Sequence, residues 1–197
     1  MKKIGVFLIV LMLSFGAAAS DPAIKFVQDL ADEIIAKVLT NSESTDKRLK
    51  SFRQTFVSAV DLPGVGKFVL GTYWKKATPA EQQEFLKVFT DFTTKTWADR
   101  FGLYNGQQIV FSGSRNAGQN QLYVDSQIQN NPPSEVIWRL KRDADSYKII
   151  DIIVEGVSMA MTYRNEYMAF LQTRGGRVGD LTRELAQKSA EFKFTTH

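Results

Sequence analysis

Two hydrophobic periods divide this chain. Between Asp21 and about Arg100, apolar residues recur every three or four positions, the spacing of helices that bury one face. Between Gln107 and Val154 they recur every second position, the spacing of strands, and beyond Gly156 the helical spacing returns. Asp21-Pro22 opens a first helix with Phe26, Val27, Leu30, Ile34 and Val38 along one stripe to about Thr40. After the polar stretch 41–44, a second helix carries Leu49, Phe52, Phe56 and Val60 on one side. Lys47, Arg48, Lys50 and Arg53 lie on the other. Pro63, Gly64 and Gly66 interrupt the pattern, and the following KFVLG predicts one or two helical turns. Thr78-Pro79-Ala80-Glu81 has the form of a capping box, with proline at the first helical position. It opens a long helix bearing Phe85, Phe89, Phe92, Thr96 and Trp97 along one face and ending near Arg100.

The alternating half comprises QQIVFSG (107–113), QLYVDSQIQ (121–129), EVIWRLKR (135–142) and YKIIDIIV (147–154). Their connections are too short for parallel crossovers, so the strands are antiparallel. Even-numbered positions make one broad apolar face: Leu122, Val124 and Ile128; Val136, Trp138 and Leu140; Ile150, Ile152 and Val154. The last strand is also apolar at Ile149 and Ile153, as in a strand covered on both sides. Gly156 then breaks the alternation, and Val157, Ala160, Met161, Met168 and Leu171 predict a helix folding back on the sheet. Gly175-Gly176 ends it, and Asp180 is placed as the cap of a final helix with Leu181, Leu185 and Phe192. Helices first and last with strands between predict an α+β fold. Its sheet is four-stranded, antiparallel and wrapped by the N- and C-terminal helices.

Composition narrows the setting. Residues 1–19 have the form of a secretory signal: basic Lys2 and Lys3, an apolar stretch from Ile4 to Phe15, then Ala17-Ala18-Ala19 before a mature start near Ser20. That stretch is too short to span a bilayer as a helix. Residues 20–197 are then one domain, long enough for a sizeable core. Losing the two lysines lowers the formal charge from +4 to +2, which argues for no nucleic-acid partner. The chain has no cysteine, hence no disulfide, and its one histidine is His197. Together these leave no ligand set for a zinc, haem or iron–sulfur cofactor.

Four features invite chemistry. Gly64-Val65-Gly66-Lys67 lacks the rest of a phosphate loop, with Asp61 and Phe68 at the positions that need glycine and serine or threonine, and reads as a turn. Gly156-Val157-Ser158-Met159-Ala160 resembles a nucleophile elbow, with Asp180 and His197 following in triad order. An antiparallel sheet and a histidine at the frayed end of the chain speak against that reading. Asp125 and Asp151 sit at odd strand positions, where aspartates are solvated or paired with a nearby base. Arg164 stands amid an otherwise apolar helix, either paired with Glu155 or Glu166 or at the rim of an apolar cavity where it could meet a phosphate.

The segments EGVSMAMTYRNEY (155–167), Gly176 to Leu185 and VLGTYWKKATPAEQQEFLKVF (69–89) together resemble the MlaC family over essentially the whole mature chain. These are periplasmic phospholipid-binding proteins, also called toluene-tolerance auxiliary proteins. Tyr167 stands where relatives usually carry phenylalanine. The resemblance implies a curved antiparallel sheet around a deep apolar cavity, phospholipid as cargo, no catalysis and no cofactor. It also implies two partners: an inner-membrane ABC transporter with a lipid-binding ring protein, and an outer-membrane lipoprotein–porin complex. On this reading the lipid meets Phe89, Trp97, Val110, Leu122, Val124, Val136, Trp138, Ile152, Val154, Met161, Tyr163 and Arg164. A carrier of a hopanoid-like lipid and a small cavity enzyme, an isomerase or hydrolase, are the alternatives.

Overall fold

A computed structural model describes residues 21–38, 44–102 and 106–192. The expected signal segment 1–19, its cleavage point at Ser20 and His197 lie outside the described residues. Helices α1 (Pro22–Val38), α2 (Thr45–Ala59), α3 (Leu62–Leu70), α4 (Thr72–Lys76) and α5 (Pro79–Gly102) come first. Strands β1 (Ile109–Gly118), β2 (Gln121–Ile128), β3 (Ser134–Asp143), β4 (Ser146–Val154) and β5 (Val157–Ser158) follow. Helices α6 (Met159–Thr173) and α7 (Val178–Glu191) close the order. The strands form one antiparallel meander in chain order. The α+β expectation holds, with one short strand more than the four predicted.

Local chemistry starts these helices. Asp21 accepts the Ala23 N–H at 2.9 Å to cap α1, and the Ser114 hydroxyl donates to the same carboxylate, tying α1 to β1. At α5 the Thr78 N–H donates to Glu81 at 2.9 Å, and the Glu81 N–H donates back to the Thr78 hydroxyl at 3.3 Å, closing the expected box. The segment around Gly64 is not a turn: Asp61 caps α3 by accepting the Gly64 N–H at 3.0 Å, and Pro63 fits the first helical turn. A β-carbon on Gly66 would stand 2.5 Å from Leu86 Cδ2, so this glycine lets α3 lie directly against α5.

Two helix starts differ from expectation. Val157 and Ser158 do not begin a helix; they pair with Val154 and Ile153 as β5, across a tight turn at Glu155 (φ 49°) and Gly156 (φ 76°). Ser158 then caps α6, its oxygen accepting the Met161 N–H at 3.1 Å. Helix α7 is capped at Arg177. Asp180 lies inside the first turn, where its charge suits the helix dipole, and Arg177 and Arg183 donate to it.

Register sets the inner face of the sheet. Leu122, Leu140 and Ile149 stand side by side, then Val124, Trp138 and Ile152, then Ser126, Val136 and Val154. Of the three register shifts in the sheet, two decide which residues face the core. Ser112 is extra between the pairs Phe111–Ser126 and Gly113–Asp125, so Ile109 and Phe111, not Val110, share the face of Ile128 and Ser126. Ile150 is extra in β4, so Ile149, 3% exposed, takes the core position expected of Ile150. Ser126 is buried among these apolar side chains because it satisfies two polar groups: it donates to the Val136 carbonyl at 2.8 Å and accepts from the Trp138 indole at 3.0 Å.

The core joins sheet and helices. Phe52, Phe85 and Phe89 are fully buried, and Phe85 stacks on Phe89 with ring centroids 5.6 Å apart. Burying a ring of this size stabilises the fold by roughly 1.5–3 kcal/mol. Helix α1 lies on β1, β2 and β4; α2, α3 and α6 reach β4; α5 packs on α2, α3 and α7. Asp91 of α5 accepts from Ser189 of α7, and Lys95 donates to the Ser189 carbonyl at 2.9 Å.

Candidate functional site

Between α1, α5 and one end of the inner sheet face the chain leaves a partly enclosed cavity of about 360 Å³. This volume is in the range of ligand pockets, about 300–1,000 Å³. Helix α1 contributes Ala31, Ile34 and Ile35, and α5 contributes Trp97, Arg100 and Phe101. The sheet contributes Ile109, Ile128, Val136, Trp138, Ile152 and Val154, with Gln107 and Asn130 as the polar additions. Among the described residues, Arg100 is the only charged one in this wall. Because Ser126 takes the Trp138 N–H, the indole presents no unpaired donor to the cavity. A polar groove of about 500 Å³ between α1 and β1, lined by Gln28, Asp29, Asp32 and Gln108 among others, borders the cavity through Ala31, Ile35 and Ile109.

The structure brings part of the expected set to this wall: Trp97, Val136, Trp138, Ile152 and Val154. Phe89 and Tyr163 instead line a separate void of about 40 Å³, which shares Trp97 and Ile152 with the main cavity. Leu122 and Val124 are on the correct face but are packed into the core, Val124 with no exposed surface. Val110 and Met161 point outward, 42% and 44% exposed; Val110 stands opposite Gln127, on the far side of the sheet from Ile109. Arg164 makes neither expected ion pair and does not line the cavity. Its guanidinium donates to the Phe68 carbonyl and lies 4.9 Å from the Phe68 ring, because α6 packs against α3. Ile34, Ile35, Phe101, Ile109 and Ile128 are wall residues absent from the expected set. The adjacent pair Ile34-Ile35 widens the α1 stripe, and that was a signal within the sequence.

Other polar groups near the helices serve the fold. Asp151, 8% exposed, accepts from the Ser158 hydroxyl and from the Ala160 N–H at 2.9 Å, which fixes the start of α6 on β4. The serine of the elbow-like motif is therefore engaged as a cap, and Asp180 is engaged by two arginines. Asp125 pairs with Arg115 at 3.0 Å. Tyr167 packs edge-on against Phe85 and Phe89, with centroids 6.5 and 6.4 Å away, and its buried hydroxyl has no hydrogen-bond partner among the described residues. Burial pushes the Tyr167 phenol far above its usual range and raises Tyr163 as well. Among the described residues no group of three or more His, Cys, Asp or Glu side chains is gathered to hold a metal ion. Nor is any described helix long and apolar enough to cross a membrane.

Known proteins resemble this chain in sequence and in fold. The chain is similar to the intermembrane phospholipid transport system binding protein MlaC of Haemophilus influenzae, 24% identical over 161 residues covering 76% of this chain and 74% of the relative. It is similar to the toluene tolerance protein ttg2D of Pseudomonas putida, 22% identical over 156 residues, 76% of this chain and 73% of the relative. The solved structure of a phospholipid-binding protein from Ralstonia solanacearum, in complex with a phospholipid, superposes with a TM-score of 0.76 at 24% identity. That likeness covers 87% of this chain and 98% of the other, and shows a shared fold. The family model described as MlaC protein matches residues 26–187, from the first turns of α1 to the last turns of α7, and the chain belongs to the MlaC family.

Proposed function

We propose that this protein is a non-enzymatic phospholipid carrier of the periplasm, holding acyl chains in the cavity between α1, α5 and the sheet. The observation that carries the reading is that cavity: among the described residues, a wall of aliphatic and aromatic side chains broken by one charge and two amides. The names of the relatives, which specify phospholipid transport and binding, support it. The energetics fit a carrier. Two acyl chains hold roughly 30 methylenes at about 0.8 kcal/mol each, so exposing them to water costs on the order of 20 kcal/mol. An apolar cavity removes most of that barrier with no covalent step. Trp97, Val136, Trp138, Ile152 and Val154 are the residues we assign to the acyl chains, joined by Ile34, Ile35, Phe101, Ile109 and Ile128.

The partners are an inner-membrane ABC transporter with a lipid-binding ring protein and an outer-membrane lipoprotein–porin complex, between which the carrier moves after losing residues 1–19. Mass spectrometry under native conditions, on protein purified from the periplasmic fraction, tests the proposal. The expected species begins near Ser20 and carries the added mass of a phospholipid. A chain that binds no lipid, or that carries a polycyclic lipid instead, overturns it.

A further inference from the structure

Among the described residues Arg100 is the only charge in the cavity wall. Arg53, Arg115, Arg177 and Arg183 each meet a carboxylate. Arg164 is committed to the Phe68 carbonyl. Arg139, Arg142 and Arg174 pair with no carboxylate among the described residues, meeting Gln121, Tyr147 and the Phe170 ring instead, but none of them lines the cavity. Arg100 meets no carboxylate within ion-pair distance among the described residues. Its guanidinium lies over the Trp97 ring, 5.1 Å from the centroid, and one nitrogen donates to the thioether of Met159 at 3.3 Å. A thioether is a weak acceptor, so most of the five donors of the guanidinium remain available. The side chain is solvent-exposed yet belongs to the cavity wall, which puts it at the rim. Trp97, beneath it, lines both the main cavity and the smaller void, as Ile152 does.

An apolar cavity filled by acyl chains leaves the lipid's phosphate at such a rim. A planar guanidinium meets two phosphate oxygens with two parallel N–H bonds in one charged plane, a geometry that neither a lysine ammonium nor a neutral amide offers. We propose that Arg100 holds the phosphate of the bound lipid, and so selects lipids with an anionic phosphodiester over uncharged lipids with the same tails. This rests on the carrier reading and adds to it the residue that recognises the headgroup.

The test uses the mature full-length protein stripped of lipid and offered, separately from cyclodextrin complexes, phosphatidylglycerol and diacylglycerol with identical acyl chains. Arg100→Gln is expected to weaken retention of phosphatidylglycerol by about tenfold, the scale of one hydrogen bond to a charged group. Retention of diacylglycerol and the thermal melt should stay as in the parent protein, and Arg100→Lys should recover part of the loss. Arg164→Gln should change neither lipid. Inorganic phosphate at millimolar concentration should leave bound phosphatidylglycerol in place; displacement by it would reveal a free-anion site and overturn the proposal. Equal losses of both lipids would assign Arg100 to wall packing over Trp97, and no loss would remove it from the site; either outcome overturns the proposal. Failure of the carrier reading looks different, because then the parent protein takes up neither lipid.

Discussion

The two ends of one sheet face behave differently although their inward side chains are alike in kind. At one end Leu122, Leu140 and Ile149 are all buried core; at the other Val136 and Val154, with Trp138 and Ile152 beside them, line a cavity. Both ends present large apolar side chains to this face, and at the cavity end the strands are apolar on the far face too, at Ile137 and Ile153. The difference lies in what stands opposite. The link between α2 and α3 is bonded to β4 itself: Val60 bridges to Ile149, and the Asp61 N–H donates to the Ile149 carbonyl at 2.9 Å. Helices are thereby drawn onto that end. At the other end α5 is anchored to α2, α3 and α7 and faces the sheet through Trp97, Arg100 and Phe101, with space between. A cavity here is a matter of helix placement, not of strand composition.

The sharpest way to break this comparison is to place a carboxylate at each end. Leu140→Asp at the closed end and Val124→Glu in the row between the ends, both at positions with no exposed surface, should cost several kcal/mol and abolish the cooperative melt followed by circular dichroism. Val154→Asp, at a half-buried cavity position, should leave a folded protein that no longer carries phospholipid, because water can reach the new group once the cavity is empty. If Val154→Asp also unfolds, the two ends are one core and the distinction is lost.

Removing the anchor of α6 should weaken the closed end alone. Asp151→Ala leaves the Ala160 N–H and the Ser158 hydroxyl without their acceptor, at an expected cost of about 1–3 kcal/mol in chemical denaturation, with lipid content unchanged. Tyr167→Phe should act in the opposite direction. It deletes a buried hydroxyl with no protein partner and keeps both edge-on ring contacts, so stability should rise by about 1 kcal/mol in the same assay. A fall would mean that the hydroxyl is satisfied.

The smallest effect is a dependence on acid. Burial raises the Asp61 carboxyl, but the Lys141 ammonium at 2.7 Å and the Gly64 N–H outweigh it and hold the group below its usual value of 3.8. The stabilisation is therefore present above the unfolded-state value and is lost as pH falls through the lower folded-state value. Since Asp61 clamps α3 to β3 beside Leu140, melting temperature should drop as pH falls below the usual carboxylate range. Asp61→Asn should flatten part of that drop. An unchanged slope would show that the clamp contributes nothing.

Much of this was readable from residues close in sequence. The caps at Asp21 and at Thr78–Glu81 involve partners two or three residues apart, so their chemistry is visible in the string. The alternation of β2 and β3 predicted correctly that Leu122, Val124, Val136, Trp138 and Leu140 share a face. The wall of the cavity was legible only in part. Val110 was expected at the lipid and Ile109 stands there, because a bulge at Ser112 changes parity, and a bulge is a property of two strands together. Arg164 was assigned by its sequence neighbours, whereas its partner Phe68 is 96 residues away.

By itself, then, the sequence determined the element types, most of their limits and the class of fold, because periodicity and capping are local energies summed over a few residues. It also determined that there was more apolar surface than polar chemistry to accompany it. Only the tertiary structure decided where that surface is filled by protein and where it is left for a ligand. Trp97 and Phe89 lie on one helical stripe, yet the cavity holds one and the core encloses the other. The choice is made by the distance between α5 and the sheet, which contacts with α2, α3 and α7 set from far along the chain.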